Sequence, residues 1–241
     1  MREFPVIIDF EGIDYSFKET NSKALETYLN TIEGIKAKRY SFPSYGEKSG
    51  YIVEGYLKGK YSDFDENLAI YLFLSDMMSR FYNEIIPDIN DKDLDVVIFD
   101  RFWYSNVYYT KDSMMIDTYE KVAKLAKGFG LPHADLIISM GPFQSSDLKS
   151  YYENMNKREN KDIYESNTDF LLKVFDNLKN FNILTEKFVK TIILKAINIS
   201  KEEVPRPREN IFNDIISIMN EIHIKEVVES CRLHNTQLPQ Y

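Results

Sequence analysis

The chain has 241 residues and a formal net charge of -8, from 30 lysines and arginines against 38 aspartates and glutamates. Its length fits one α/β domain, and 44% hydrophobic residues suffice for a buried core, which argues against disorder. The acidic balance argues against binding to nucleic acid or a membrane surface, because the long-range field repels polyanions. The single cysteine, Cys231, excludes an intramolecular disulfide and a cysteine zinc cluster.

These features lead us to expect a cytoplasmic protein. The apolar run near the N-terminus is short and flanked by Glu3 and Asp9, unlike a signal peptide, and no segment has the length of a membrane span. A reduced, intracellular setting is the default for a chain with a single cysteine.

Short apolar runs alternate with helical patterns along the chain. Apolar runs without helical period predict strands over residues 6–10, 96–99, 136–138 and 191–194. Apolar residues at helical spacing predict helices around residues 24–29 and over 68–86, 116–127, 145–156, 163–178 and 208–222. The alternation predicts a three-layer α/β fold, a parallel sheet with helices on both faces. We expect one domain over residues 1–222 and a tail of unassigned role over 223–241.

The first predicted strand is followed by a turn that resembles a phosphate-binding loop. Residues 11–20 read Glu-Gly-Ile-Asp-Tyr-Ser-Phe-Lys-Glu-Thr. The pattern Gly-x-x-x-x-Gly-Lys-Ser/Thr is matched at Gly12 and Lys18, whereas Phe17 replaces the second glycine and Glu19 the hydroxyl residue. The turn stands where ligands collect in parallel sheets, at a strand's carboxyl end beside a helix N-terminus. Taken alone, it is still better interpreted as a connecting turn with a surface lysine.

Four further segments, collinear with this turn, together resemble the thymidylate kinase family. One branch of that family has Gly-Lys-Glu-Thr in its loop, which Glu19-Thr20 resembles. The downstream segments are Phe-Pro-Ser-Tyr to Tyr-Leu-Lys-Gly (42–59), Asp-Arg-Phe-Trp-Tyr-Ser (100–105), Gly-Leu-Pro-His-Ala-Asp-Leu (130–136) and Lys-Asp-Ile-Tyr-Glu (161–165). The resemblance covers residues 5–222. It implies the fold of a P-loop nucleoside monophosphate kinase with a short lid at about 156–163.

The resemblance also implies a site that works mainly by positioning phosphates. The donor-binding residues it implies are Gly12, Ser16, Lys18, Glu19 and Thr20. The catalytic residues it implies are Lys18 at the donor's terminal phosphates, Asp100 at Mg²⁺, Arg101 at the acceptor's phosphate and Arg158 in the lid. Asp100 is the expected metal ligand, directly or through water. Mg²⁺ is the implied cofactor, ATP the co-substrate, small nucleotides the ligands and a second copy of the chain the partner.

For the acceptor nucleotide, the resemblance implies contacts from residues spread over several segments: Asp14, Phe42, Phe73, Arg80, Arg101, Ser105, Tyr109 and Tyr164. Phe73 corresponds to the aromatic residue that stacks on the base. Met77 replaces an arginine of the family that reads thymine, and Arg80, further along the same helix face, is the candidate substitute. Tyr108 stands where the family has a small residue, so we expect it to shrink or reshape the pocket.

Two function hypotheses follow. The first is ATP-dependent, Mg²⁺-requiring phosphorylation of a deoxynucleoside monophosphate, foremost dTMP to dTDP. The second is a catalytically silent relative that binds a nucleotide or a protein partner. It is motivated by Tyr15 and Phe17, whose bulk stands where a small residue normally lets the loop wrap phosphates. The direction in which these two rings point separates the hypotheses.

Overall fold

A five-stranded parallel sheet forms the centre of the molecule. The computed structural model describes residues 5–61, 66–110, 115–145, 148–155, 161–189, 191–201 and 204–235. The strands of the sheet are β1 (Val6–Gly12), β2 (Ala37–Ser41), β3 (Val96–Asp100), β4 (Leu136–Gly141) and β5 (Ile193–Asn198). Their spatial order is β2-β3-β1-β4-β5. A two-residue antiparallel pair, β6 (Ser200–Lys201) and β7 (Val204–Pro205), follows the last strand.

Helices connect and cover the strands. Their bounds are α1 (Lys18–Leu29), α2 (Tyr51–Leu57), α3 (Glu66–Arg80), α4 (Ile86–Lys92), α5 (Ser105–Tyr108), α6 (Met115–Gly128), α7 (Leu148–Met155), α8 (Thr168–Phe188), α9 (Arg208–Glu221) and α10 (Ile224–Asn235). A π-helical turn, Phe81–Ile85, joins α3 to α4. None of the described helices has the length and apolar character needed to cross a membrane.

The sheet is buried on both faces, as expected for a parallel sheet in an α/β protein. Alternate side chains of β1 enter two separate cores: Val6, Ile8 and Phe10 pack with residues of α1, α9 and α10. Ile7, on the opposite face, packs with residues of α3, α6 and α8. The three-layer architecture predicted from the sequence is confirmed by this arrangement.

β1 is the central strand, so its carboxyl end lies in the middle of the sheet edge at which all five parallel strands end. This strand lies between β3 and β4, so the chain moves to one side of it first and to the other side later. The carboxyl end of β1 is level with Asp100 of β3 and Met140 of β4. A crevice therefore opens at this switch in strand order, the usual place for a ligand in such sheets.

Several elements differ from the sequence prediction. β2 was not predicted, and β5 begins at Ile193 and ends at Asn198, later than the predicted run at 191–194. The helix predicted from residue 163 begins at Thr168, because the Asn167 side chain caps it by accepting a hydrogen bond from the Phe170 N–H. Residues 224–235, which the sequence pattern left unassigned, form α10.

Candidate active site

The turn between β1 and α1 is held in an unusual backbone conformation. Tyr15 and Phe17 both have left-handed φ angles, 64° and 63°. Gly12 has φ of 154°, and a Cβ there would lie 2.2 Å from the Met140 carbonyl oxygen, so only glycine fits. The glycine predicted at the start of the loop is thus required by close packing against β4, while two aromatic residues occupy backbone positions that glycine usually takes.

The rings of Tyr15 and Phe17 pack on opposite faces of the sheet. Tyr15 packs against the core that contains Ile7, and Phe17 packs against the core that contains Ile8. The Arg208 guanidinium lies over the Phe17 ring at 5.7 Å from its centroid. Both rings line, without filling, a cavity of about 670 Å³ at the carboxyl edge, which we call the large cavity. The bulky residues therefore leave space beside the loop.

Lys18 begins α1 and turns back into the loop. It is only 6% exposed, and its Nζ donates hydrogen bonds to the Ile13 carbonyl (2.5 Å) and the Ser16 Oγ (3.0 Å). Burial, and then the nearby Arg101, lowers the pKa of Lys18 to about 7, while Asp14 opposes this shift. Ser16, Lys18, Glu19 and Thr20 all line the large cavity. The structure therefore brings together the predicted donor-binding residues, apart from Gly12.

The carboxylate of Asp100, at the end of β3, lies on the wall of the large cavity. It forms an ion pair with the Arg39 guanidinium, and the Ser22 Oγ lies 3.4 Å from the same oxygen. Among the described residues, no group of three or more His, Cys, Asp or Glu side chains could hold a metal ion. The oxygen ligands on this wall fit Mg²⁺ as kinases use it, with one or two carboxylates and the substrate's phosphates.

Arg101 is the central cation of the site. Its backbone is left-handed, with φ of 66°, and its guanidinium donates to the Gly12 carbonyl at 3.0 Å and pairs with Asp14. The Tyr109 hydroxyl accepts from Arg101 at 2.9 Å and donates to Asp14 at 3.1 Å. Arg101 and Asp14 line both the large cavity and a second, adjoining pocket, which we call the small pocket. They therefore stand at the junction of two ligand spaces.

The small pocket is mostly apolar and contains most of the predicted acceptor-binding residues. Its predicted lining residues are Asp14, Phe42, Phe73, Arg101, Ser105, Tyr109 and Tyr164. Met77, buried to 2% exposure, lines it as well. The Tyr164 ring stacks on Phe170, at 4.9 Å between centroids. An apolar slot bordered by aromatic rings, with a cation at its mouth, suits a flat base that carries an anionic group.

Two residues that we discussed for the acceptor site do not line the small pocket. Arg80 does not line either pocket: Glu84, one helical turn further on, accepts from its Nε at 2.6 Å, and the Ser41 carbonyl accepts from its other end at 2.9 Å. Tyr108 is fully buried beneath the loop and does not line the small pocket, so its expected effect on the shape of the pocket stays a prediction. Its hydroxyl donates to the Glu11 carboxylate and accepts from the Gly12 N–H at 3.0 Å, so that N–H is already satisfied.

Arg158, the catalytic residue predicted in the lid, lies outside the described part of the chain. Arg158 falls in residues 156–160, which the structure does not describe, and its predicted role stays a prediction. Lys161 and Asp162, at the end of the predicted lid, do line the large cavity. Burial is the main cause that raises the pKa of Asp162 to about 6.

Sequence reasoning missed several residues of the large cavity. Arg39 and Arg208 line it and belong to no motif that we singled out, whereas Tyr45, Glu54, Lys58 and Glu165 lie within the segments 42–59 and 161–165 but were not predicted as site residues. Arg39 and Asp100 are 61 positions apart in the chain and meet only because β2 pairs with β3. The sequence nonetheless contains a signal for Arg39: Lys38 and Arg39 stand between Ala37 and Tyr40, and charged residues within an apolar segment often belong to a functional site.

Comparisons with known proteins agree with this geometry. The family model for thymidylate kinase matches residues 10–204. The chain belongs to the thymidylate kinase family. A protein of Methanococcus aeolicus named probable thymidylate kinase is 34% identical over 203 residues, covering 82% of this chain and 90% of the relative. The thymidylate kinase of Plasmodium falciparum is 28% identical over 220 residues, covering 90% and 91%.

Solved structures of the family share the fold. The thymidylate kinase of Candida albicans superposes with a TM-score of 0.64 at 21% identity, covering 91% of this chain and 92% of that one. The enzyme of Ehrlichia chaffeensis gives 0.62 at 20% identity, covering 89% and 98%. The expected enzyme class, a thymidylate kinase-like phosphotransferase, is supported by the relatives, whereas the catalytically silent alternative gains no support from them.

Proposed function

We propose that this member of the thymidylate kinase family transfers the γ-phosphoryl group of ATP to a deoxynucleoside monophosphate, with dTMP as the preferred acceptor and dTDP as product. The observation that carries the proposal is the position of Arg101, which lines both ligand spaces where they join. A phosphoryl group that moves from one nucleotide to the other must pass this junction. Family membership supports the same activity.

The residues of the two spaces divide the task. Lys18 and Thr20 would bind the donor's phosphates in the large cavity, where backbone N–H groups at the start of α1 add positive potential. Arg101 would clamp the acceptor's phosphate, since a planar guanidinium binds phosphate with two parallel hydrogen bonds. Asp14, hydrogen-bonded to Tyr109, holds Arg101 in place. The acceptor oxygen would then attack the γ-phosphorus in line.

Mg²⁺ is part of the proposal, and the oxygen ligands described above would hold it. Asp100 would bind it directly or through water, together with phosphate oxygens of the substrate. Bound there, the ion would neutralise charge on the migrating phosphoryl group. Positioning of the nucleotides by Lys18 and Arg101 is the contribution of the chain itself.

A coupled assay for ADP formation across the common nucleoside and deoxynucleoside monophosphates tests the function. We expect the highest kcat/KM with dTMP, and a loss of at least about a hundredfold in Lys18→Ala and in Arg101→Ala. Lys195→Ala is the matched control, because Lys195 pairs with Glu221 and lines neither space. Folded protein that forms no ADP with any acceptor would refute the proposal.

We also propose that the protein is a homodimer that associates through surface helices. Exposed apolar side chains support this: Leu68 and Tyr71 on α3 and Ile116 on α6 are 39%, 43% and 46% exposed. Sedimentation velocity at micromolar concentration should give twice the monomer mass. A monomer at all concentrations would contradict this part of the proposal.

A further inference from the structure

The ion pair between Arg39 and Asp100 is buried in the wall of the large cavity. The side chains are only 11% and 9% exposed, so bulk water screens the pair weakly. Asp100 is the carboxylate that we expect to bind Mg²⁺, directly or through water. In the described part of the chain, the cation paired with it is an arginine from the neighbouring strand.

Arg39 is held in place by α1. Its Nε donates to the Ser22 Oγ at 2.7 Å, and its backbone N–H donates to the Glu26 carboxylate at 2.8 Å. Side chains alternate along β2, and Arg39 lies on the face that packs against α1, whereas Lys38 lies on the other face and pairs with Asp88. The guanidinium is thus fixed beside Asp100 by contacts that do not involve a ligand.

The charge balance of the large cavity makes this one cation significant. Among the described residues, twelve charged side chains line it, six basic and six acidic: Lys18, Arg39, Lys58, Arg101, Lys161 and Arg208 against Asp14, Glu19, Glu54, Asp100, Asp162 and Glu165. With all twelve groups in their usual ionised forms these charges sum to zero, although the whole chain has a charge of -8. Loss of Arg39 would leave the cavity negative, at the point where phosphates are expected.

We propose that Arg39 is a positioning residue that acts as the built-in counter-ion of Asp100. It holds the carboxylate at the cavity wall and neutralises it before a divalent cation enters, and it opposes that cation once bound. The inference rests on the proposed function for the identity of the metal and the nucleotide. It differs from that function because it assigns a role to Arg39, which lies outside all the motifs quoted above.

The physical consequence is negative coupling between Arg39 and the metal. Two cations that share one buried carboxylate repel each other at short range, where the effective dielectric constant is about 20. Removal of the guanidinium therefore strengthens divalent-cation binding and weakens the binding of nucleotide without metal. The affinity for the divalent cation and the affinity for metal-free nucleotide should therefore both change when Arg39 is replaced.

Binding of Mn²⁺ to nucleotide-free protein tests the proposal without any turnover. Free Mn²⁺ is measured by electron paramagnetic resonance as protein is added. We expect Arg39→Gln to bind Mn²⁺ about tenfold more tightly than the unmodified protein, and the double variant with Asp100→Asn to lose that gain. Arg39→Lys, which keeps the charge, should remain near the unmodified affinity. Equal or weaker binding by folded Arg39→Gln overturns the proposal.

A second measurement separates the proposed role from a packing defect. Calorimetry gives the dissociation constant of a non-hydrolysable ATP analogue with and without Mg²⁺. The dissociation constant without Mg²⁺, divided by the constant with Mg²⁺, should rise about tenfold in Arg39→Gln. A packing defect would weaken both binding reactions by the same factor and leave this ratio unchanged. Lys38→Gln is the matched control, because it removes a cation from the same strand on the opposite face. Its ratio should equal that of the unmodified protein.

The outcomes also separate this inference from the proposed function. If the unmodified protein binds no nucleotide, the proposed function fails, and the Mn²⁺ titration still decides the role of Arg39. If Arg39→Gln does not fold, the test uses the NMR resonance of the Arg39 Nε–H group in the unmodified protein. That resonance is assigned by its absence from the spectrum of Arg39→Lys. That resonance should shift as Mg²⁺ is added, and the absence of a shift at saturation overturns the inference.

Discussion

The hydroxyl of Tyr108 holds the beginning of the phosphate-binding turn. It donates to the Glu11 carboxylate and accepts from the Gly12 N–H at 3.0 Å, and it is fully buried. Burial, and then the Glu11 carboxylate, raises the pKa of Tyr108, so the hydroxyl keeps its proton. The sequence placed Tyr108 near the site but not beneath it, because family motifs give position along the chain and not side-chain direction.

Tyr108→Phe should lower the free energy of unfolding by about 2 kcal/mol, because a buried hydrogen bond to a charged group is lost and the Gly12 N–H loses its partner. The KM for ATP should rise as well, since the loop is anchored less firmly. Urea denaturation measures the first effect. Tyr152→Phe is the control: its buried hydroxyl lies 3.4 Å from the Leu171 carbonyl, a weaker bond. Equal losses in both variants would show that the Glu11 contact adds nothing.

Among the elements, the central strands were predicted from the sequence, whereas the edge strand β2 was missed and the edge strand β5 was predicted with shifted bounds. β1, β3 and β4 are buried on both faces and read as continuous apolar runs. β2 and β5 lie at the edges and contain charged residues such as Arg39 and Lys195, which hide the apolar pattern. Site residues within motifs were predicted, whereas those contributed by β2 required the strand pairing to be known.

The central strand also contains a destabilising pair of carboxyl groups. Asp9 and Glu11 lie on the same face of β1, both fully buried. Neither oxygen of Asp9 has a hydrogen-bond partner among the described residues. Burial, and then the Glu11 carboxylate, raises the pKa of Asp9 well above its usual value of 3.8. The folded state therefore retains a proton on Asp9 that the unfolded state releases.

The pH dependence of stability should reveal this proton. Protonation of Asp9 stabilises the folded state relative to the unfolded state, and the full effect is present below about pH 4. The free energy of unfolding then falls as pH rises towards the elevated pKa, by up to about 1.4 kcal/mol per pH unit. Asp9→Asn removes the titration, so its stability relative to the unmodified protein should increase with pH from about 4 upward. Denaturation at several pH values measures the difference. The exposed Asp117→Asn is the control, and a parallel curve for Asp9→Asn would contradict the assignment.

On the scale of the whole molecule, charge is distributed unevenly. The chain has a charge of -8, which argues against a broad polyanion-binding surface, yet the described residues that line the large cavity include equal numbers of basic and acidic side chains. A small anion therefore meets a locally neutral site within a repelling surface. Under the proposed function, the buried Lys18 and the partly buried Arg101, which both contact the turn after β1, would bind phosphate there without attracting longer polyanions.

The end of the sheet opposite the site contains a separate stabilising junction. Asp95, before β3, accepts from the Lys36 N–H at 2.8 Å and from both ends of the Arg232 guanidinium on α10, at 2.5 and 2.7 Å. Its backbone carbonyl accepts from the Val6 N–H at 2.9 Å. The starts of β1, β2 and β3 are thus joined to the last helix.

Arg232→Ala should therefore reduce stability and spare catalysis. Asp95 is buried while Arg232 is half exposed, so we expect a loss of about 1 kcal/mol in the free energy of unfolding. The carboxyl edge is a full strand length away, so kcat and KM at 20 °C should stay within about twofold of the unmodified values. Thermal denaturation and steady-state kinetics on the same preparation test both statements. A large fall in kcat at full folding would show that the two ends of the sheet are coupled.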